Sequence, residues 1–104
     1  MTSFKKVAFA GVLSTLSAIA AQTDAKDLYL NKCATCHGPD GAGQTAKGKK
    51  LKMKGVKETV GKMNATEMVK IVDTGKGPDM DAFGKQYNKE QIAALVDYYR
   101  GLSK

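Results

Sequence analysis

Cys33-Ala34-Thr35-Cys36-His37 is the stretch from which the rest of the chain can be read. Two thiols separated by two residues and followed at once by an imidazole have the spacing of covalent c-type haem attachment. The thiols reach the two vinyl groups of one macrocycle and form thioethers, while the adjoining ring falls beneath the iron as an axial ligand. The chain has two cysteines and one histidine in all, so this pentapeptide uses every one of them. A thioredoxin-like dithiol needs a strand before the motif, a helix after it and a βαβ setting, and no such pattern is present. A structural zinc site needs four ligands such as Cys and His, and only three exist. A simple Cys33–Cys36 disulfide is the remaining alternative, and haem attachment outweighs all three.

Upstream, Met1–Ala20 opens with a short polar start containing Lys5 and Lys6. An apolar run from Val7 follows and ends in Ala18-Ile19-Ala20. This is the pattern of a secretory signal peptide. Cleavage after Ala20 satisfies the small-x-small rule, with Thr23-Asp24-Ala25 as a weaker second site. Residues 1–20 are therefore read as signal and 21–104 as one domain. The apolar run, about fourteen residues, is shorter than the roughly twenty needed to cross a bilayer. The expected mature product is soluble and periplasmic, with no integral membrane segment.

Removing residues 1–20 leaves 84 residues of the 104, a length that buries little surface unaided. A large flat apolar cofactor adds burial that Tyr29, Phe83, Tyr87, Tyr98 and Tyr99 do not supply alone. The formal charge falls from +7 to +5 when Lys5 and Lys6 leave with the signal. What remains is concentrated in Lys47, Lys49, Lys50, Lys52, Lys54, Lys57 and Lys62, opposed across that stretch by Glu58 alone.

Residues Lys26 to Cys33 read as a short helix with Leu28 and Tyr29 facing inward, ended by His37-Gly38-Pro39. Asp40-Gly41-Ala42-Gly43 reads as a turn. The Gly- and Lys-rich stretch from Thr45 to Lys62 reads as loop with at most one short helix. Asn64 caps a predicted helix over Ala65 to Asp73, with Glu67 placed to complete a capping box. Gly75, Gly77 and Pro78 stop it and lead into a loop centred on Met80. Asn88 caps a C-terminal helix, with Gln91 at the third position and Ile92, Leu95, Val96, Tyr99 and Leu102 on helical period.

A single histidine leaves one axial position on the iron for another residue, water or an external molecule. A Met thioether is soft, favours ferrous iron and raises the reduction potential relative to bis-His ligation. Met53, Met63, Met68 and Met80 all compete. Packing is the default role for Met53, in a Lys-rich segment, and for Met63 and Met68, at or inside a helix. Met80 occupies a Gly/Pro-bounded loop far enough from His37 to reach the opposite face, and is the favoured ligand.

These residues resemble the small monohaem class I cytochromes c of bacterial periplasms and photosynthetic lumens, over most of the mature chain. The resemblance rests on Tyr29 four residues before the first Cys, on Cys33 to Gly38, on Met80-Asp81-Ala82-Phe83, and on Tyr98-Tyr99-Arg100-Gly101-Leu102. It implies an all-α fold, the small cytochrome c fold, with three to four helices wrapped around one covalent haem c. It also implies a Pro39 carbonyl that accepts a hydrogen bond from His37 Nδ1, fixing the ring. Two positions depart from the family pattern. Asp81 stands where Pro is frequent, which removes a rigid φ and adds a carboxylate that favours ferric iron. Ala25 replaces a helix-packing Gly, and its expected neighbours are Tyr98 and Tyr99.

The function expected is one-electron transfer by a soluble monomeric carrier with His37/Met80 ligation, not an enzyme. Its lysines suit redox partners with an acidic docking surface, and nucleic acid is no partner in that compartment. The alternative is a haem-based sensor or peroxidase-like protein with a displaceable sixth ligand. Peroxidase chemistry usually needs a distal acid/base, and after His37 no second histidine remains. A third reading, a module of a larger oxidoreductase, finds no linker or tail to support it in the mature chain.

Overall fold

The computed structural model describes residues 24–104, so the expected signal peptide lies outside the described residues. Helix α1 covers residues 24–32, and α2 (Ala34–His37) continues the chain direction after a turn at Cys33. The two segments are joined by backbone bonds from the Cys33 N–H to the Tyr29 carbonyl and from the His37 N–H to the Cys33 carbonyl, both 2.9 Å. There follow α3 (Ala46–Lys50), α4 (Val56–Lys62), α5 (Ala65–Thr74) and α6 (Lys89–Gly101). The only β pairing among the described residues is an isolated antiparallel bridge between Lys76 and Met80.

Both predicted capping boxes form. Asn64 Oδ1 accepts from the Glu67 N–H at 2.8 Å, and the Glu67 carboxylate accepts from the Asn64 N–H at 3.1 Å. Asn88 and Gln91 repeat the exchange at 2.8 and 2.9 Å. Each cap satisfies backbone donors that would otherwise lack intrahelical partners, worth about 1 kcal/mol. So anchored, α5 packs on α6, burying Met68 against a helix whose own buried residues are Ile92, Leu95 and Val96. Ala25 and Tyr29, one turn apart on α1, are both buried. The Tyr29 ring lies 5.3 Å from Tyr98 and 6.1 Å from Tyr99, tying the first helix to the last.

The stretch from 45 to 62 is more ordered than its composition predicts, holding two short helices, α3 and α4, where at most one was expected. The all-α architecture therefore comprises six helical segments among the described residues rather than three to four. Tertiary contacts supply the extra order. Thr45 Oγ1 accepts from the Gly48 N–H at 2.9 Å and donates to the Cys36 carbonyl at 2.8 Å, so the cap of α3 is also its link to α2. The Val56 N–H, opening α4, donates to the Gly41 carbonyl at 2.7 Å. Gly48 makes the close approach possible, since a Cβ there would sit 2.5 Å from the carbonyl oxygens of both Cys36 and Gly43.

Gly48→Ala is accordingly expected to destabilise the haem-loaded protein by about 1–3 kcal/mol, because backbone must move to admit the methyl group. Gly61→Ala in α4, with nothing within 4 Å of its added Cβ, is expected to stabilise by about 0.4–1 kcal/mol. Chemical denaturation of the two variants beside the parent checks both signs.

Candidate haem site

Every helix of the described chain except α3 contributes to the wall of one cavity of about 350 Å³. From the attachment motif come Cys33 and His37, with Tyr29 one turn earlier; α5 adds Met68, Ile71 and Val72; α6 adds Leu95, Val96 and Tyr99. The segment after α3 supplies Leu51, Lys52, Met53 and Lys54, α4 supplies Thr59, and the loop after α5 supplies Lys76, Asp79, Met80 and Phe83. Apolar side chains predominate, which is the lining a flat hydrophobic group requires.

Cys33 lines this cavity, while Cys36 is half-buried outside its lining, its carbonyl held by Thr45. Both thiols are free, so the disulfide reading is not realised. Burial, and secondarily the neighbouring Cys36, pushes the Cys33 thiol up to about 11. A dithiol oxidoreductase needs the opposite shift to generate its thiolate, which counts against the thioredoxin-like reading.

Burial lowers the pKa of His37, favouring the neutral imidazole that can ligate a metal. Its ring lies edge-on to Tyr99 with centroids 5.2 Å apart. Nδ1 is buried and has no hydrogen-bond partner, so the bond to the Pro39 carbonyl that the resemblance implies is not made here. Gly38, at φ +83°, turns the chain away from the helix, and Pro39 is exposed along a separate cleft shared with Asp40, Gln44 and Thr45. The Gly38 carbonyl instead accepts from the buried Tyr29 hydroxyl at 2.6 Å.

All four methionines in the described residues line the cavity. Met68 is buried in α5 with its sulfur 3.8 Å from Arg100 Nη1, and the same guanidinium nitrogen donates to the Met63 carbonyl at 3.2 Å. Met80 sits in the loop, as the sequence predicts, and that loop is pinned on both sides. The Lys76 N–H donates to the Met80 carbonyl at 2.9 Å, and the N–H groups of Phe83 and Gly84 donate to the Val72 and Asp73 carbonyls at 2.9 and 3.0 Å. Gly75 permits this fold-back, because a Cβ there would lie 2.8 Å from the Met80 carbonyl oxygen. Among the wall residues, Thr59 and Asp79 carry no ligand spacing, which is why sequence reading passes over them, while Lys52 and Lys54 read from sequence only as part of the basic stretch.

Residues 20–98 match the family described as cytochrome c oxidase, cbb3-type, subunit III. The chain belongs to this cytochrome c family. A solved c-type cytochrome, KustC0563, is 31% identical and superposes with a TM-score of 0.69, over 76% of this chain and 96% of its own. No curated protein matches. The chain is thus a small monohaem cytochrome c of helical fold, carrying covalent haem c with its iron on the cysteine pair at 33 and 36. Its activity is haem-based electron transfer with redox partners, and members of the cytochrome c domain family are typically electron carriers. The cytochrome's cavity fits that cofactor on its own chemistry: apolar walls, a half-buried imidazole whose buried Nδ1 is unsatisfied, and several thioether sulfurs.

Without haem those walls face a void. Replacing Cys33 and Cys36 with Ala is therefore expected to leave a largely disordered chain, read as loss of most helical ellipticity in far-ultraviolet circular dichroism. A native spectrum from the haem-free double variant would contradict this dependence.

Proposed function

We propose that this cytochrome is a soluble, monomeric one-electron carrier whose iron is held between His37 and Met80. The observation that carries the reading is that one apolar cavity is lined both by His37, on the short helix after the first attachment cysteine, and by Met80, on a loop fixed by backbone bonds. The bound haem supplies ferric/ferrous exchange. His37 contributes a neutral nitrogen and needs an acceptor for Nδ1, and the Pro39 carbonyl is the one the family resemblance offers. Met80 contributes a soft thioether that favours the ferrous state. Of its competitors, Met68 is the least suited, with its sulfur already against Arg100. Ile71, Val72, Phe83, Leu95 and Val96 exclude water, which limits reorganisation around the iron and leaves outside ligands little room.

Signal cleavage after Ala20 and a periplasmic location complete the reading. The family match begins at residue 20, and Ala25 is a buried residue of α1, so cleavage after Ala25 would remove a core side chain. Among the described residues no helix is long and apolar enough to cross a membrane. A second reading, a domain passing electrons on within a larger oxidoreductase, draws its support from the oxidase subunit named in the family description. Recovery from native cells in the membrane fraction instead of the soluble extract would favour it.

Lys47, Lys49, Lys50, Lys52, Lys54, Lys57 and Lys62 are all exposed, and Glu58 pairs with Lys62 at 3.2 Å. The remaining charge suits an acidic partner surface. Reduction by a strongly acidic flavoprotein is expected to slow by about tenfold or more between roughly 0.01 and 0.1 M salt, as screening shortens the reach of the patch. Rates that ignore ionic strength in stopped flow would remove its docking role.

The ligand assignment is tested by the optical spectrum of the oxidised protein. A weak far-red charge-transfer band is expected from sulfur-bound ferric haem, and Met80→Ala is expected to abolish it. A high-spin spectrum with ready carbon monoxide binding in the parent would instead bring forward the sensor or peroxidase-like alternative.

A further inference from the structure

Lys52 is the one non-glycine residue among those described with a positive φ, +56°. It follows α3 at the position where a helix commonly turns into the left-handed conformation, and the bonds around it are those of that termination. The Met53 N–H donates to the Gly48 carbonyl at 2.9 Å, and the Lys52 N–H donates to the Lys49 carbonyl at 3.1 Å. Glycine is the usual occupant there, because any Cβ is strained. Lysine has no special tolerance for this conformation, unlike Asn or Asp. Residues kept in a disfavoured backbone region tend to cluster where a site gains from the side chain they present. Lys52 meets that description: it lines the haem cavity, is exposed, and has no carboxylate partner among the described residues.

We propose that Lys52 is the cationic partner of a haem propionate carboxylate, and that it raises the midpoint potential by offsetting charge that would otherwise favour ferric iron. The ammonium acts as a fixed positive charge at the cavity wall. Oxidation adds one positive charge to the cofactor, so a cation at this distance disfavours it, and a propionate neutralised by that cation no longer favours it. Of the remaining lysines of the patch, Lys54 also lines the cavity but from an unstrained backbone, whereas Lys47, Lys49, Lys50, Lys57 and Lys62 do not line it. The inference requires bound haem and is independent of which residue fills the sixth position.

The experiment compares four haem-loaded variants with the parent: Lys52→Gly, Lys52→Asn, Lys52→Arg and Lys47→Gln. Two readouts are taken, the midpoint potential by spectroelectrochemical titration and the melting temperature. Lys52→Gly is expected to raise the melting temperature by about 4–8 °C, as relief of left-handed strain should in a domain of this size, while lowering the potential. Lys52→Asn is expected to lower the potential equally, and Lys52→Arg to keep the parent value. Lys47→Gln removes the same formal charge from the same patch and is expected to move the potential less. A potential unchanged in Lys52→Gly, or shifted no further than in Lys47→Gln, would overturn the proposal whatever the melting temperature does, since a purely structural residue moves only the latter.

Discussion

Fixing a large apolar macrocycle to a turn at Cys33 commits the rest of the chain to wrapping it. The buried apolar side chains among the described residues are Ala25, Tyr29, Val56, Met68, Ile92, Leu95 and Val96, a small set for a domain that must offset the conformational entropy of its own folding. A second set, including Leu51, Ile71, Val72 and Phe83, is only half-buried and lines the cavity. Those side chains leave water completely only against an apolar occupant, so cofactor contact and core packing are one interaction. Helix α2, four residues long, is far below the length at which a helix is stable alone. It persists because the Tyr29 carbonyl, the Thr45 hydroxyl and the covalent tether hold it from different sides.

Tyrosine links that tether to the opposite end of the chain. Tyr29 is buried, gives its hydroxyl to the Gly38 carbonyl, and sets its ring against Tyr98 and Tyr99. Burial, with Cys33 and the two other tyrosines adding smaller contributions, raises its pKa well above the ordinary phenol value, so the group stays a neutral donor. Tyr99 then meets the His37 ring edge. A displacement of α6 would therefore reach the imidazole directly through Tyr99, which places the C-terminal helix in the support of His37.

What could be read from the sequence was what is decided locally. Asn64 with Glu67 and Asn88 with Gln91 specify their helix starts because a side chain bonds backbone only three residues away. The attachment motif was legible for the same reason. The region of α3 and α4 was not, since its order comes from partners distant in sequence: Cys36 for Thr45, Gly41 for Val56, and the carbonyls around Gly48. Nor did sequence context separate the methionines by location, because all four line the cavity. Pro39 illustrates a different limit, in that a family role tied to one carbonyl depends on the φ of the glycine before it.

The Met80 loop shows how a lost restraint can be replaced. Proline after the ligand methionine would fix one φ; here Asp81 leaves that angle free, and three backbone bonds to α5 and Lys76 act instead. Asp81 itself is exposed and outside the cavity lining, so solvent screens its carboxylate and weakens its pull toward ferric iron. Lys52, Lys54, Lys76 and Asp79 are exposed as well, but they line the cavity and so act on its occupant at shorter range. The balance among these wall charges therefore weighs more on the charge state of the cofactor than the carboxylate that follows Met80.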